Sequence, residues 1–298
     1  MTQCRLCCSD AKLHQSHIVP AFVFRWQKRT SSTGYLRFAG NMNQRVQDGL
    51  KTPFLCESCE AQFNEWETAF ANNLFLPFHD QVKTVFPYSE WLAKFCVSVS
   101  WRTLAYVKEH GQITELAARY GTDVDHALTV WADFLLDNRP DIEGLTQHFL
   151  PLGAIDCESQ PLPPNIQYYL MRAVRVDCFS NELRAYTYAK LGHFILLGMI
   201  VDSEPHLWSG TNIDLRGGTL APTCLKSPDW VWRLLVDETN RMTECRSTLS
   251  ERQHTLIAET QHKDPQRVVQ SQTFLAALED CRLGNHANTR VDETESEQ

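Results

Sequence analysis

The chain reads as an α+β protein: a small cysteine-ordered module at the N-terminus, then a helical region and a small antiparallel sheet with C-terminal helices. Three observations carry this. Two CxxC pairs, Cys4–Cys7 and Cys56–Cys59, stand some fifty residues apart near the start of the chain. Trp91, Leu92, Phe95, Val99, Leu104 and Val107 recur near helical spacing. Two β-rich runs, Tyr168 to Asp177 and Leu183 to Ala189, flank the turn-forming stretch Phe179-Ser-Asn-Glu182, and the wholly apolar run from Leu191 to Val201 supplies a third strand.

Taken in order, the first pair opens a tight turn followed by Cys8-Ser-Asp-Ala-Lys12 and a short strand over 13–19 that ends at Pro20. Residues 21–29 are expected to be helical, with Phe22, Val23 and Trp26 on one face and Arg25, Lys28 and Arg29 on or beside the other. Thr30 to Gly34 is a loop. Tyr35 to Leu50 is irregular and polar, with Asn41, Asn43, Arg45, Gln47 and Asp48 crowded together as a structured loop or part of a site. The second pair leads into an acidic and aromatic helix from about Glu60 to Leu74, stopped by Pro77.

Residues 86–150 read as helical, broken at Gly111, with further helices near 112–119 and 123–137 behind an Asp123 cap. Gln160-Pro-Leu-Pro-Pro164 marks a linker or a change of layer. Ile213 to Leu220, with Arg216-Gly-Gly218, turns into another strand, and Pro228-Asp-Trp-Val-Trp232 is an aromatic surface or packing element. The sheet is expected to pack on the helices of 86–150. From Asp237 to about Cys281 two helices divide near Asp264-Pro265, and the apolar-poor tail 285–298 is expected to be disordered. The domain boundaries that follow are 1–85, 86–284 and 285–298.

Four cysteines in two CxxC pairs are the donor set of a tetrahedral zinc site, each pair offering two thiolates from one turn. The competing reading is buried thiols in an ordinary core. Cys96, Cys157, Cys178, Cys224, Cys245 and Cys281 are scattered, as ordinary buried thiols are. No apolar run approaches the ~18 residues that a membrane span needs. The N-terminus shows no basic-then-apolar leader pattern, so a cytoplasmic location is expected, where cysteines stay thiols or ligate metals.

The order CxxC, then His14-Gln-Ser-His17-Ile-Val-Pro20, then Cys56-Glu-Ser-Cys59-Glu60 and a helix, resembles the zinc-containing, treble-clef (ββα-metal) form of the HNH endonucleases. The resemblance covers residues 1–80 and nothing beyond. It implies structural Zn²⁺ on Cys4, Cys7, Cys56 and Cys59, and His17 as the general base that activates the attacking water. It also implies a catalytic Mg²⁺ or Mn²⁺ nearby, and phosphodiester hydrolysis in nucleic acid, DNA before RNA. The chain departs from the family at two ligand positions. Ser16 stands where an Asp, His or Glu precedes the base, and Glu60 stands where a His follows the second pair. Glu60 and Asn64, one helical turn apart, are an acceptable pair for a hard cation. His14 could replace the missing ligand, Asn43 or Asn41 could orient the base, and His79 is a more distant candidate.

Net charge is −8, against wholesale polyanion binding, but residues 1–52 hold eight basic side chains and two acids, a local charge of +6 against −14 elsewhere. Arg25, Lys28, Arg29 and Arg45 are the candidate nucleic-acid contacts; a solvated face short of acids is the plainer account. Three functions are open at this point. One is a metal-dependent HNH-like nuclease. The second is a non-catalytic zinc module of the same descent that binds nucleic acid or a protein partner. The third is a structural zinc knuckle beside an activity in 86–236, where no catalytic motif stands out and His193 reads as structural. A protein partner or a second copy of the chain would dock through residues 86–284, and no membrane is involved.

Overall fold

The computed structural model describes residues 2–38, 40–80, 83, 85–112, 114–155, 162–221 and 225–295, with side chains through 283. The chain divides into two compact units that interleave along the sequence: Met1–Phe22, Gly49–Pro151 and Val174–Ser227 form the first, and Val23–Asp48, Leu152–Ala173 and Pro228–Gln298 the second.

In the first unit, β1 (Thr2–Gln3) and β2 (Asp10–Ala11) bracket the first CxxC turn, and β3 (His14–His17) pairs antiparallel with β6 (Lys51–Leu55). Helix α2 (Glu57–Phe70) follows, then a π-helical stretch Ala71–Phe75 and the short α3 (Leu76–His79). Helix α4 (Glu90–Glu109) is the centre of this unit. It is buried on every face from Leu92 to Leu104, with Lys94, Ser98, Ser100, Arg102 and Thr103 buried among apolar side chains. It ends where Gly111, at φ 67°, lets the Gln112 N–H reach the Val107 carbonyl (3.1 Å) and the Gly111 N–H reach that of Lys108 (3.2 Å).

Against α4 lies a four-stranded antiparallel sheet in the order β8 (Gln147–Pro151), β11 (Phe194–Asp202), β10 (Arg184–Leu191), β9 (Val174–Ser180). Helix α5 (Thr114–Leu135), kinked at Tyr120, packs beside it. Phe22, Phe70, Phe75, Phe95, Phe149 and Phe194 interlock in the core, with Phe70 stacked on Phe95 at 3.9 Å between centroids. Aromatic pairs of this kind add to plain area burial. A separate two-stranded ribbon joins β7 (Phe86–Ser89) to β12 (Gly217–Leu220).

The second unit holds most of α1 (Ala21–Arg29), the hairpin β4 (Leu36–Phe38) and β5 (Asn41–Val46), α6 (Ile166–Arg172), and α7 (Asp229–Ser247), α8 (Glu251–Lys263), α9 (Pro265–Gln270) and α10 (Gln272–Glu295). Arg172 is its internal tie: its guanidinium donates to the Thr30 hydroxyl (2.6 Å) and the Gln27 carbonyl (3.0 Å) and lies over the Trp26 ring.

Several expectations are corrected. Tyr35 to Leu50 contains a hairpin, not only irregular loop. Pro77 does not stop the helix; it occupies the first turn of α3, where its missing N–H has no partner to lose. Residues 168–172 are helical, so the strand begins at Val174. Residues 147–151 form an unanticipated sheet strand, and Gly217–Leu220 pairs with β7 instead of joining that sheet. The aromatic stretch 228–232 is the start of α7, and the C-terminal region holds four helices instead of two. Of the scattered cysteines, Cys96 is buried, Cys178 and Cys245 are half-buried and Cys281 is exposed; Cys157 and Cys224 lie outside the described residues. The tail expected at 285–298 has its side chains outside the described residues, while backbone helix continues to Glu295. Among the described residues no helix is long and apolar enough to cross a membrane.

One buried histidine gives the first unit a pH dependence. His148 on β8, 4% exposed, stacks flat on Trp208 at 3.9 Å and meets the Thr211 hydroxyl at 2.8 Å and that of Thr146 at 3.2 Å. Burial pushes its pKa down to about 4, with Asp202 pulling the other way. In the unfolded chain the ring protonates near 6.5. The folded state therefore binds fewer protons between those values: stability is complete above about pH 6.5 and is lost as pH falls toward 4. Urea titrations should show about 2 kcal/mol less stability at pH 5 than at pH 7.5 from this ring alone. His148→Gln should flatten that slope; a variant with the wild-type slope would place the proton uptake elsewhere.

Candidate metal centre and the strand beside it

The two cysteine pairs come from different kinds of turn. Cys4 and Cys7 sit between β1 and β2, where Cys8 adopts φ 57° and donates its N–H to the Cys4 carbonyl (3.0 Å). Cys56 is the N-cap of α2, and Cys59 lies in that helix's first turn, where the helix dipole favours a thiolate. One ligand atom from each of the four lies within 4.8 Å of every other, a cage that could hold a metal ion. Cys7 Sγ and Cys56 Sγ are 3.7 Å apart. Sulfurs at ~2.3 Å from a tetrahedral zinc are separated by about 3.8 Å, so the Cys7–Cys56 spacing suits that ion.

The thiols differ in acidity. Burial pushes those of Cys4 and Cys59 up. At Cys56 burial acts in the same sense but is outweighed by the Ser58 hydroxyl, the Cys59 backbone and the neighbouring thiols, which bring it down to about 6. Cys7 is lowered as well: burial opposes, while Ser9 and the adjacent thiols prevail. The Cys56 N–H also donates to Cys4 Sγ at 3.3 Å, stabilising a thiolate there.

Strand β3 runs beside this cage. Its register against β6 pairs His17 with Lys51, Ser16 with Thr52 and Gln15 with Pro53, with an irregularity between His14 and Gln15. Ser16 is fully buried and its hydroxyl donates to Glu60 Oε2 at 2.6 Å, while accepting the Leu55 N–H at 3.3 Å. The residue before His17 thus meets the residue after Cys59. Glu60 and His17 are half-buried, and His14 and Asn64 are exposed.

The backbone of His17 is held from an unanticipated quarter. Arg102, on α4 and 2% exposed, donates from Nη1 to the His17 carbonyl (3.1 Å) and to Glu67 Oε1 (2.7 Å), with its guanidinium over the Phe63 ring at 5.0 Å. A single arginine inside the apolar run Val97–Val107 was the available signal, since such a group is buried only when paired.

The remaining candidates fall elsewhere. The Asn43 side chain donates to the Thr248 carbonyl (3.1 Å) and accepts the Ser250 N–H (2.9 Å), clamping the turn between α7 and α8 in the second unit. His79, buried, contacts the Phe75 carbonyl through Nδ1 (2.7 Å) and accepts the His193 N–H at Nε2 (3.4 Å), so both ring nitrogens face backbone groups. Arg25 and Arg29 are exposed, one turn apart on α1. Lys28 donates to the Gln47 carbonyl (2.8 Å), and exposed Arg45 lies over the Tyr35 ring at 3.9 Å.

The chain matches no family model, no curated protein and no solved structure.

Proposed function

We propose that residues 1–80 form an HNH-like, metal-dependent endonuclease module that hydrolyses phosphodiester bonds of nucleic acid, ordered by structural zinc on Cys4, Cys7, Cys56 and Cys59. The observation that carries this reading is the Ser16–Glu60 hydrogen bond beside the cysteine cage. It joins the strand that ends in His17 to the helix that begins at the second pair. The knuckle, the β3–β6 pair and α2 come in an order that supports a treble-clef reading, with α1, β4 and β5 inserted between the paired strands. In this reading His17 takes the proton from the attacking water. Glu60 and Asn64 offer oxygen donors to Mg²⁺ or Mn²⁺, which supplies electrostatic stabilisation of the phosphoryl oxygens. The donor set fits: Ser16 engages Oε2 of Glu60, and Oε1 has no hydrogen-bond partner among the described residues.

The same bond also favours a second reading. A serine in the position before the base ligates poorly and ties up half of the Glu60 carboxylate, as a binding module without catalysis would tolerate. Incubating the protein with plasmid and with RNA in Mg²⁺, Mn²⁺ and Ni²⁺ separates the two. Cleavage supports the nuclease; binding without cleavage under all three ions supports the module.

Either reading uses the exposed α1 cations. Arg25→Glu and Arg29→Glu should weaken polyanion binding and reduce the slope of log K against log salt by roughly 0.9 for each phosphate that is no longer neutralised. An unchanged slope would make the basic helix a bystander.

A further inference from the structure

Past the zinc-bearing end of α2, the first unit holds a cleft that neither the cysteine cage nor His17 accounts for. Its volume is ≈ 400 Å³, and its lining includes Asn72, Asn73, Lys83, Tyr88, Ser89 and Trp91. That is within the range of small-molecule sites. One side is the π-helical stretch Ala71–Phe75, which sets the adjacent amides of Asn72 and Asn73 on the surface; neither has a protein hydrogen-bond partner among the described residues. Short π-helical segments of this kind recur at functional sites.

More of the lining comes from β7, which β12 pairs, and from Trp91 in the first turn of α4. The Tyr88 hydroxyl accepts the Asp214 N–H at 3.2 Å. A Cβ on Gly218 would come within 2.8 Å of that hydroxyl oxygen, and one on Gly217, at φ 131°, within 2.7 Å of the Tyr88 carbonyl oxygen. The ribbon approaches this closely only because both residues are glycine. Tyr88 is therefore a fixed aromatic wall, and Trp91, half-buried, is a second ring on the lining.

The chemistry of this lining is selective. Two aromatic rings offer faces for a flat ligand. Two amides, each both donor and acceptor, suit the mixed edge of a heterocycle. Lys83 is the one formal charge among the described lining residues, and it is positive. With no carboxylate, the cleft lacks the donors that a hard cation needs. We infer that this cleft binds a nucleobase, stacked against Trp91 and Tyr88 and read on its edge by Asn72 and Asn73, with its phosphate toward Lys83. The inference rests on the nucleic-acid reading above and adds to it a base-accepting subsite outside the candidate catalytic strand.

Calorimetric titration of the full chain with AMP, GMP, CMP, UMP and ribose 5-phosphate tests this. At least one nucleoside monophosphate should bind ten-fold or more tightly than ribose 5-phosphate. Trp91→Ala should weaken that binding by about 5- to 150-fold, the range that loss of one base–aromatic stack produces, and Trp91→Phe should restore most of it. The double variant N72A/N73A should bind every base alike and more weakly. Melting temperature and metal content report whether each variant is folded. A single-stranded pentanucleotide binding at least ten-fold more tightly than any mononucleotide would assign the pocket to a base within a strand; equal affinities would assign it to free nucleotides. Ribose 5-phosphate binding as well as the nucleotides, or Trp91→Ala and N72A/N73A both keeping the affinity and base preference of the wild type, would overturn the proposal. Cleavage activity does not enter these readouts, so the base site and the nuclease reading fail separately.

Discussion

Cys59→Ser is expected to leave the cage unable to hold a metal and to unfold the cysteine knuckle and the β3–β6 pair. Cys59 is buried in the first turn of α2. The strands nearest the cage have little regular structure of their own: β1 and β2 are two residues each, and β3 and β6 form a two-stranded pair. Two-stranded pairs are marginal in water on their own, so in the zinc reading the metal contributes much of the folding energy of this knuckle. Structural zinc supplies ~10–16 kcal/mol in small zinc modules at neutral pH, and that binding energy is folding energy. The damage should spread along Phe54 and Phe63, which pack on Trp101 of α4, and through the Arg5–Glu109 ion pair that fastens the knuckle to the end of that helix. Metal analysis should find about one zinc per chain in the wild type. Limited proteolysis should cut the variant, or wild type stripped by a chelator, within residues 1–80. A metal-free chain that melts cooperatively at the wild-type temperature would sink the structural role.

What was readable along the chain and what was not divide by the range of the interactions. The cysteine pairs, the strand at His14–His17 and the long helix around Val99 announce themselves within a few residues, because each is set by a local spacing. The hairpin of β4 and β5 gave no such signal. Its residues Asn41 to Val46 are exposed or half-buried on both faces, so no alternation of apolar and polar side chains marks the strand. The helix at Ile166–Arg172 was hidden for another reason. Tyr168, Tyr169, Leu170 and Met171 read as strand formers, but the Asp280 carboxylate accepts the N–H groups of Gln167 (2.8 Å) and Tyr168 (3.0 Å) and so caps the helix from more than a hundred residues away. Burial pushes the Asp280 pKa up, against the opposing pull of those two bonds and of Arg246. In the candidate site, the contact of Ser16 with Glu60 is likewise a tertiary event. Sequence spacing placed each residue beside a motif, but only folding of the strand onto the helix shows that the two side chains satisfy one another.

His17→Ala carries the sharpest expectation. In the nuclease reading the variant loses the group that accepts the water proton, and hydrolysis should fall by ~10²–10⁴-fold. Zinc content and folding should be unchanged for reasons visible in the structure. His17 is not one of the four cysteine ligands, its contact with Arg102 is made by its backbone carbonyl, and its pairing with Lys51 belongs to the ladder. Alanine keeps both backbone contacts and takes no ligand from the cage. Glu60→Gln is the complementary change. A glutamine oxygen can still accept the Ser16 hydroxyl, so the strand should stay on the helix, but the negative charge that attracts a hard cation is gone. Activity should therefore fall through weaker metal binding and recover partly in excess Mg²⁺ or Mn²⁺, whereas His17→Ala should not recover at any metal concentration. That difference in rescue separates loss of a proton acceptor from loss of a ligand. If the wild type cuts and His17→Ala cuts equally well, His17 is not the base. If the wild type cuts nothing under any divalent ion while its nucleic-acid affinity ignores His17→Ala, the module binds without catalysing, and the Ser16–Glu60 bond is then a structural cap between strand and helix.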